Sequence, residues 1–247
     1  MYYLRILLIL LGCSSLHAEL LLGVENSWPP FADTNGLGYS TSLVNHAYAA
    51  VGIQPRIQVF PYARVLKLVE YGNLNGGYNV TRQPNTESQF LFGSRPLLMA
   101  SARFYFRNGK EQPYSSLEEV PDHTHIATII DYEYGPDFEA NKHRFQLTEV
   151  SSQEQIIQMI LTGRVDTGLM FEEVAHYTVE KMKAVPGKIH SDTQALAEGR
   201  IFYTSKIYVA FDKHNPENLK YAQLLDEGLR LITLNGVYQQ ILDGKLK

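Results

Sequence analysis

Short apolar runs alternate along the chain with segments in which apolar residues recur every three or four positions. The runs predict buried strands, and the wider spacing predicts amphipathic helices. In the first part of the chain, strands are predicted at residues 19–25, 56–60 and 76–80, and helices at residues 39–51 and 61–71. This alternation favours a mostly parallel sheet that is flanked by helices.

A strand predicted at residues 103–107 is followed by a second series of the same kind. Its strands are predicted at residues 124–130, 146–150 and 164–170, and its helices lie within residues 131–142, 151–161 and 172–183. Ser151 and Glu154 have the spacing of a capping box at the start of the middle helix. A strand at residues 206–211 and two helices, from residue 215 and at residues 237–242, end the pattern. They are too few for a third domain, so we expect two α/β lobes.

Residues 75–92 contain the first candidate ligand site, because a mostly apolar strand ends there in a polar turn. Ligands of open α/β sheets bind in the crevice beyond the carboxyl ends of the strands. A lone arginine at such a place can hold a carboxylate through two parallel hydrogen bonds. Arg82 is therefore a candidate anchor. The substitution Arg82→Ala is expected to abolish binding of a carboxylate ligand while the melting temperature stays nearly unchanged.

Two further residues allow two interpretations each. Trp28 is the single tryptophan and lies on a loop that Pro29 and Pro30 keep out of regular structure. It either lines a ligand cleft or covers the core. Arg64, in the first turn of the predicted helix at residues 61–71, is either a solvated surface charge or a ligand contact.

Composition and charge narrow the function classes. The chain has 247 residues, 45% of them hydrophobic, with 22 basic and 26 acidic residues and a formal net charge of −4. Without a basic run or stripe, nucleic acid and anionic membranes are poor partner candidates. The sequence has no nucleophile elbow, phosphate-binding loop or metalloprotease helix, and His123 and His125 have no third ligand at a suitable spacing. We therefore expect no metal and no cofactor.

Residues 1–18 differ from the rest of the chain. Arg5 precedes an apolar run, and Ala18 provides the small residue that cleavage requires. The segment is shorter than the roughly 20 apolar residues that span a bilayer. It predicts a secretory signal peptide. Cys13, the one cysteine, gives the alternative of a lipid anchor, whereas cleavage after Ala18 leaves no thiol or disulfide chemistry.

The sequence also contains, in this order, GVENSWPPF, YARVLKLVEYGNLNGGYNVTR, LFGSRPL, LTGRVDTGLM and LNGVYQQIL. Together these strings resemble the family 3 extracellular solute-binding proteins, the amino-acid-type periplasmic receptors of ABC importers. The resemblance covers nearly the whole chain after residue 18. It implies the α/β, two-lobed type II periplasmic binding fold, with lobe 1 at residues 19–101 and 201–247 and lobe 2 at residues 102–200. Two crossing hinge strands are expected near residues 99–103 and 200–205.

The resemblance also shows where this chain departs from the family. The arginine that holds the carboxylate of an amino acid falls on Thr86, or on Glu87 with another gap, and the aspartate that holds the amine falls on Phe171. Arg82 and Glu172 could replace these anchors and keep a zwitterionic ligand. Otherwise, a cleft of aromatic residues would suit a flat or weakly charged ligand. The candidate ligand-binding residues are Glu25, Trp28, Tyr62, Arg64, Asn79, Arg82, Tyr132, Tyr134, Phe171 and Glu172.

The function that the resemblance implies is capture of a small polar or amino-acid-like ligand and its delivery to an ABC importer, by a protein that is a monomer and not an enzyme. Two alternatives stay open. A dehydratase-like enzyme on the same fold would use Glu25 and Glu172 as its acids. A sensor subunit would present the ligand-bound form to a signalling protein and take no part in transport.

Overall fold

The computed structural model describes residues 19–184 and 196–246. The predicted signal peptide at residues 1–18 and Cys13 lie outside the described residues. Strands run at β1 Leu21–Glu25, β2 Arg56–Phe60, β3 Gly76–Thr81, β4 Phe90–Phe92, β5 Leu98–Arg107, β6 His125–Ile129, β7 Gln146–Val150, β8 Thr167–Phe171 and β9 Leu196–Asp212. The α-helices are α1 Tyr39–Ala50, α2 Tyr62–Glu70, α3 Pro84–Gln89, α4 Pro136–Asn141, α5 Gln153–Leu161, α6 Glu172–Lys183, α7 Glu217–Leu234 and α8 Val237–Leu242.

These strands form one sheet in the order β2-β1-β3-β9-β5-β8-β6-β7, with β4 also paired to β9. The pairs of β1 with β2 and β3, and of β6 with β7 and β8, are parallel. The long strands β5 and β9 are antiparallel to each other and join the two parallel parts. We call β1 to β4 with α1, α2, α3, α7 and α8 the first half, and β6 to β8 with α4 to α6 the second half.

Glycines in β3 and β8, the strands of each half that pair with the long strands, let a helix pack closely on the sheet. A Cβ atom at Gly77 in β3 would lie 2.4 Å from Val65 of α2, and one at Gly168 in β8 would lie 2.4 Å from Ile156 of α5. Both distances are far below van der Waals contact, so a larger residue would push the helix away. The strands beneath these two helices are fully buried, since all six residues of β3 and all five residues of β8 are buried. Each half therefore has its own sheet-and-helix packing.

The last two helices pack on the first half, where α7 contacts α1 and α8 contacts both. No helix in the described ranges is long and apolar enough to cross a membrane.

The predicted element bounds were wrong in three places. Residues 84–92 form α3 and β4 rather than a turn, because Thr86 donates to the carbonyls of Thr81 and Gln83 and stabilises a short polar helix. Strands β5 and β9 are much longer than predicted, since exposed and partly buried residues interrupt their apolar runs. Helix α5 is capped by Ser152 with Gln155, not by Ser151 with Glu154, and the Gln155 N–H donates to Ser152 Oγ at 3.3 Å.

Candidate functional site

The carboxyl ends of parallel strands from both halves meet at one place in the molecule. Strand β1 ends at Glu25 and β8 ends at Phe171, while Tyr132 and Glu133 follow the end of β6. Such an edge is where ligands bind in α/β proteins. The site is therefore built from the ends of strands that are rigidly held by the packing of each half.

Two tyrosine–glutamate hydrogen bonds connect the halves reciprocally. The hydroxyl of Tyr132 in the second half donates to Glu25 in the first. The hydroxyl of Tyr62 in the first half donates to Glu133 Oε2 in the second, at 2.5 Å. The two tyrosine rings meet edge to face with centroids 5.1 Å apart. We call these four residues the Tyr–Glu cluster, to which each half contributes one carboxyl and one phenol.

Burial dominates the electrostatics of this cluster. Glu25 and Glu133 are only 2% and 6% exposed. Loss of hydration raises the pKa of each carboxyl to about 8, although the hydrogen bonds from Tyr132 and Tyr62 lower it. Nearby carboxyls, Glu133 beside Glu25 and Asp131 beside Glu133, raise the pKa further. Burial therefore favours the protonated, neutral form of both carboxyls.

An aromatic cluster lies against these carboxyls. Trp28 on the first half meets Phe171 on the second edge to face, with centroids 5.4 Å apart. Phe171 also stacks with Tyr134 at 6.0 Å and lies 6.4 Å from Tyr132. The hydroxyl of Tyr134 donates a hydrogen bond to the carbonyl of Leu169 at 3.2 Å. Aromatic contacts therefore cross between the halves at the same place as the Tyr–Glu hydrogen bonds.

Asn79 adds a polar group without a partner. It is the extra residue of a bulge in β3, between Tyr78 and Val80, and has a left-handed φ of 72°. Bulges redirect side chains next to functional sites. Its amide lies close enough to Glu25 to lower the pKa of that carboxyl. Neither its oxygen nor its nitrogen completes a hydrogen bond within residues 19–184 and 196–246, although the side chain is buried.

Trp28 shows the same feature, because its Nε1 is buried and has no hydrogen-bond partner among the described residues. Buried donors without a partner are uncommon, since each costs roughly 1–3 kcal/mol. Trp28 Nε1 and the Asn79 amide are therefore groups with which a ligand could form hydrogen bonds.

Two cavities lie between the halves, beyond the Tyr–Glu and aromatic contacts. The larger one, of about 560 Å³, lies between α2 and α3 of the first half and the residues that follow β6 in the second. Its charged lining consists of five carboxyls and two lysines: Glu70, Asp131, Glu133, Glu139, Glu149, Lys67 and Lys142. The smaller one, of about 400 Å³, lies between the loop after β1 and the start of α5. Both cavities give access to the interface between the halves.

Several predicted site residues lie elsewhere. Arg82 is exposed, and its Nε donates to Glu87 at 2.6 Å while its guanidinium lies over the rings of Phe92 and Tyr208. Arg64 is also exposed and lies 5.2 Å from the ring centre of Phe60. The structure does not bring either arginine to the Tyr–Glu cluster.

Glu172 follows Phe171 directly but pairs with Arg103, whose Nη2 lies 2.8 Å from Glu172 Oε1. Together with His176 and Glu198 it forms a group whose ligand atoms lie within 4.8 Å of one another, a spacing that could suit a metal ion. The positive charge of Arg103 opposes a second cation there. His125 is not part of that group, since its Nε2 lies 2.8 Å from Thr148 Oγ1.

Sequence reasoning missed Glu133. In the segment Tyr132-Glu133-Tyr134, the sequence pattern points to the two aromatic residues and not to the acid between them. The available signal was the position of this acid between the end of β6 and the Gly135-Pro136 start of α4, where strand ends face the ligand crevice. Thr86, in the place of the family arginine, does line the larger cavity.

No model of a protein family matches the sequence, and no curated protein matches it either. Solved structures match over nearly the whole chain. One is the amino acid ABC transporter substrate-binding protein AbpA from Streptococcus pneumoniae bound to L-arginine, with a TM-score of 0.71 and 15% identity over 92% of this chain and 94% of that one. The chain has the type II periplasmic-binding-protein fold.

Two further structures with this fold have other roles in their names. A histidine kinase sensor domain with similarity to periplasmic binding proteins has a TM-score of 0.74 and 14% identity, over 93% of this chain and 96% of that one. An ancestral amino acid-binding protein, a precursor of cyclohexadienyl dehydratase, has a TM-score of 0.70 and 15% identity, over 93% and 96% of the two chains. The predicted fold class is thus confirmed, and the fold hosts several functions.

Proposed function

We propose that the protein is a periplasmic binding protein that holds a small ligand between two lobes, which correspond to the first and second halves. The observation that carries this proposal is the reciprocal Tyr–Glu cluster, since each of its hydrogen bonds joins one half to the other. The predicted lobe boundaries near residues 101 and 201 fall within β5 and β9. These two strands would act as the hinge, because they are the ones that join the halves.

The Tyr–Glu cluster would act as a latch in the empty protein. A ligand stabilises the closed form only through contacts that it makes to both lobes. Opening of the lobes rehydrates Glu25 and Glu133, and a ligand that then enters takes over as partner of these carboxyls. Closure around it buries the aromatic residues again. No bond of the ligand is made or broken.

Delivery of the ligand to an ABC importer is the role that the sequence resemblance and the fold of AbpA support. The predicted signal peptide would place the mature chain in the periplasm, where such importers collect their ligands. The likeness to a histidine kinase sensor domain supports a second role, in which the closed form binds a signalling partner. Capture of purified membrane partners by the closed form would separate the two roles.

The alternative to a binding function is an enzymatic one. Its strongest support is the raised pKa of Glu25 and Glu133. A buried carboxyl that titrates near neutral pH is suited to general acid–base catalysis. Incubation of the protein with each ligand that binds, followed by mass spectrometry, would decide. Unchanged ligand is the result that the binding function predicts, whereas turnover would show an enzyme.

The proposed function is tested by a screen of amino acids, carboxylates, amines and aromatic metabolites against the mature protein. A ligand that binds only the folded state raises the melting temperature. Trp28 is the single tryptophan and lies between the lobes, so its emission reports binding at the site itself. We expect a ligand that raises the melting temperature to change this emission with the same dissociation constant. Stabilisation without any change at Trp28 would place the ligand elsewhere.

A further inference from the structure

We infer that the ligand is a primary alkylammonium compound without a carboxylate group, and that Glu25 and Glu133 bind its cationic nitrogen. This inference rests on the proposed function and names the chemical class of its ligand. It departs from the zwitterionic ligands that the sequence resemblance implies.

The first support is the charge of the buried site. Two carboxyls, one from each lobe, lie in it, and the groups that shift their pKa are phenols, an amide, backbone N–H groups and other carboxyls. A buried carboxylate needs a cation or a proton. In the empty protein a proton fills this need, and a ligand ammonium group could replace it. The exchange releases protons, because an alkylammonium group stays charged near neutral pH.

The second support is that residues 19–184 and 196–246 place no buried cation at the site that could anchor a carboxylate. Thr86, at the position of the family arginine, is neutral, and its hydroxyl already donates to Thr81 at 2.7 Å. Arg82 is paired with Glu87 outside the site. In the described lining of the larger cavity, the lysines are Lys67 and Lys142, and both are exposed. Among the residues that the structure describes, a ligand carboxylate in the buried site would therefore meet carboxyls and no buried cation.

The third support is the set of hydrogen-bond acceptors and rings. An ammonium group has three N–H donors. Glu25, Glu133 and the unpartnered Asn79 oxygen together provide three acceptors. The rings of Tyr62 and Tyr132 lie against the same carboxyls, and aromatic faces attract cations by roughly 0.5–2 kcal/mol. The requirement for N–H donors distinguishes a primary ammonium group from a quaternary one.

Matched ligand pairs test this inference by calorimetry. The compounds 1,4-diaminobutane and 1,5-diaminopentane differ from ornithine and lysine only by the missing carboxylate. We expect a diamine to bind at least about tenfold more tightly than its amino acid and more tightly than choline, which lacks N–H donors on its cationic nitrogen. Titration in two buffers of different ionisation enthalpy should show proton release. Equal or tighter binding of the amino acids would overturn the inference while leaving the proposed function intact.

Site variants provide the second part of the test. Glu25→Gln and Glu133→Gln keep the size of each side chain and the acceptor for tyrosine but remove the charge, and each should weaken diamine binding by roughly 30-fold or more. Glu217→Gln, at an exposed acid of α7 that lines neither cavity between the halves, is the matched control and should change binding little. If no diamine binds, or if Glu217→Gln weakens binding as much as the site variants do, the inference is wrong. The proposed function is then judged separately by the wider ligand screen.

Discussion

The Tyr–Glu cluster and the group formed by Arg103, Glu172, His176 and Glu198 both join polar side chains from different elements, but water reaches only the second. The side chains of Arg103 and Glu172 are 21% and 25% exposed, and those of His176 and Glu198 are about half exposed. In the second group, the carboxylates of Glu172 and Glu198 have the guanidinium of Arg103 beside them. In the first group, no cation among the described residues pairs with Glu25 or Glu133, and this difference is the basis for the proposed ligand site.

The pH dependence is the largest expected difference between the two clusters. The pKa of Glu25 and Glu133 is about 8 in the closed form and near 4.5 once they are exposed to water. Between these values the closed form binds more protons, so a rising pH favours opening. The free energy of opening should fall by roughly 1.4 kcal/mol per pH unit for each carboxyl between about pH 5 and pH 7.

Emission of Trp28 would follow this opening as a red shift with rising pH. The double variant Glu25→Gln/Glu133→Gln should show a flat profile, since glutamine does not titrate. A slope that persists in the double variant would assign the pH dependence to other groups.

Removal of the aromatic contact between the halves is expected to have the next largest effect. Phe171 is buried and packs on Trp28, Tyr132 and Tyr134. The substitution Phe171→Ala should lower the free energy of unfolding by about 3–5 kcal/mol in urea denaturation. Tyr71→Ala, at a residue that is 74% exposed, is the matched control and should cost less than about 0.5 kcal/mol. Equal losses would show that Phe171 is not part of a packed interface.

Disruption of the solvated group should cost much less. Glu172→Gln removes the ion pair with Arg103 but leaves a neutral acceptor in the same place. The free energy of unfolding should fall by less than about 1 kcal/mol, and the loss should shrink in high salt. A loss of several kcal/mol that is insensitive to salt would contradict the view that water screens this group.

The smallest effect is expected for Arg82→Ala. The sequence alone predicted that this substitution abolishes ligand binding. In the structure, Arg82 pairs with Glu87 at the surface, so the variant should bind ligand with unchanged affinity and lose less than about 1 kcal/mol of stability. Loss of ligand binding in a folded Arg82→Ala protein would restore Arg82 as the anchor.

The sequence predicted the elements best where an apolar period is clear. The bounds of β2, β7, α6 and α8 agree with the predicted residues. Helix α3 could not be found in this way, because its sequence PNTESQ has no apolar face and its stability comes from side-chain hydrogen bonds. Strand β9 begins with exposed and partly buried residues and ends with buried ones. Only its last part therefore has the apolar run that predicts a strand.

For the site, sequence reasoning named many of the residues but not their arrangement. The strand ends and loops containing Glu25, Trp28, Tyr132 and Phe171 were predictable, and the structure brings these residues together. The burial of Glu133 was not, because it depends on Tyr62, which lies 71 positions away in the chain. The ion pair between Arg82 and Glu87 likewise depends on helix α3, which the sequence did not predict. A sequence pattern that is read position by position does not reveal which distant residues will contact each other.

The distance between the two halves in the ligand-free protein is the most direct test that the Tyr–Glu cluster is a latch. Spin labels at Tyr71→Cys, beside α2, and Lys110→Cys, beside the second half, would report it in a Cys13→Ser background. The variant Tyr62→Phe/Tyr132→Phe removes both hydrogen bonds between the halves and leaves the two buried carboxyls without their tyrosine donors. We predict a longer distance in this variant than in the protein with both tyrosines. An identical distance distribution in the two proteins would contradict the latch.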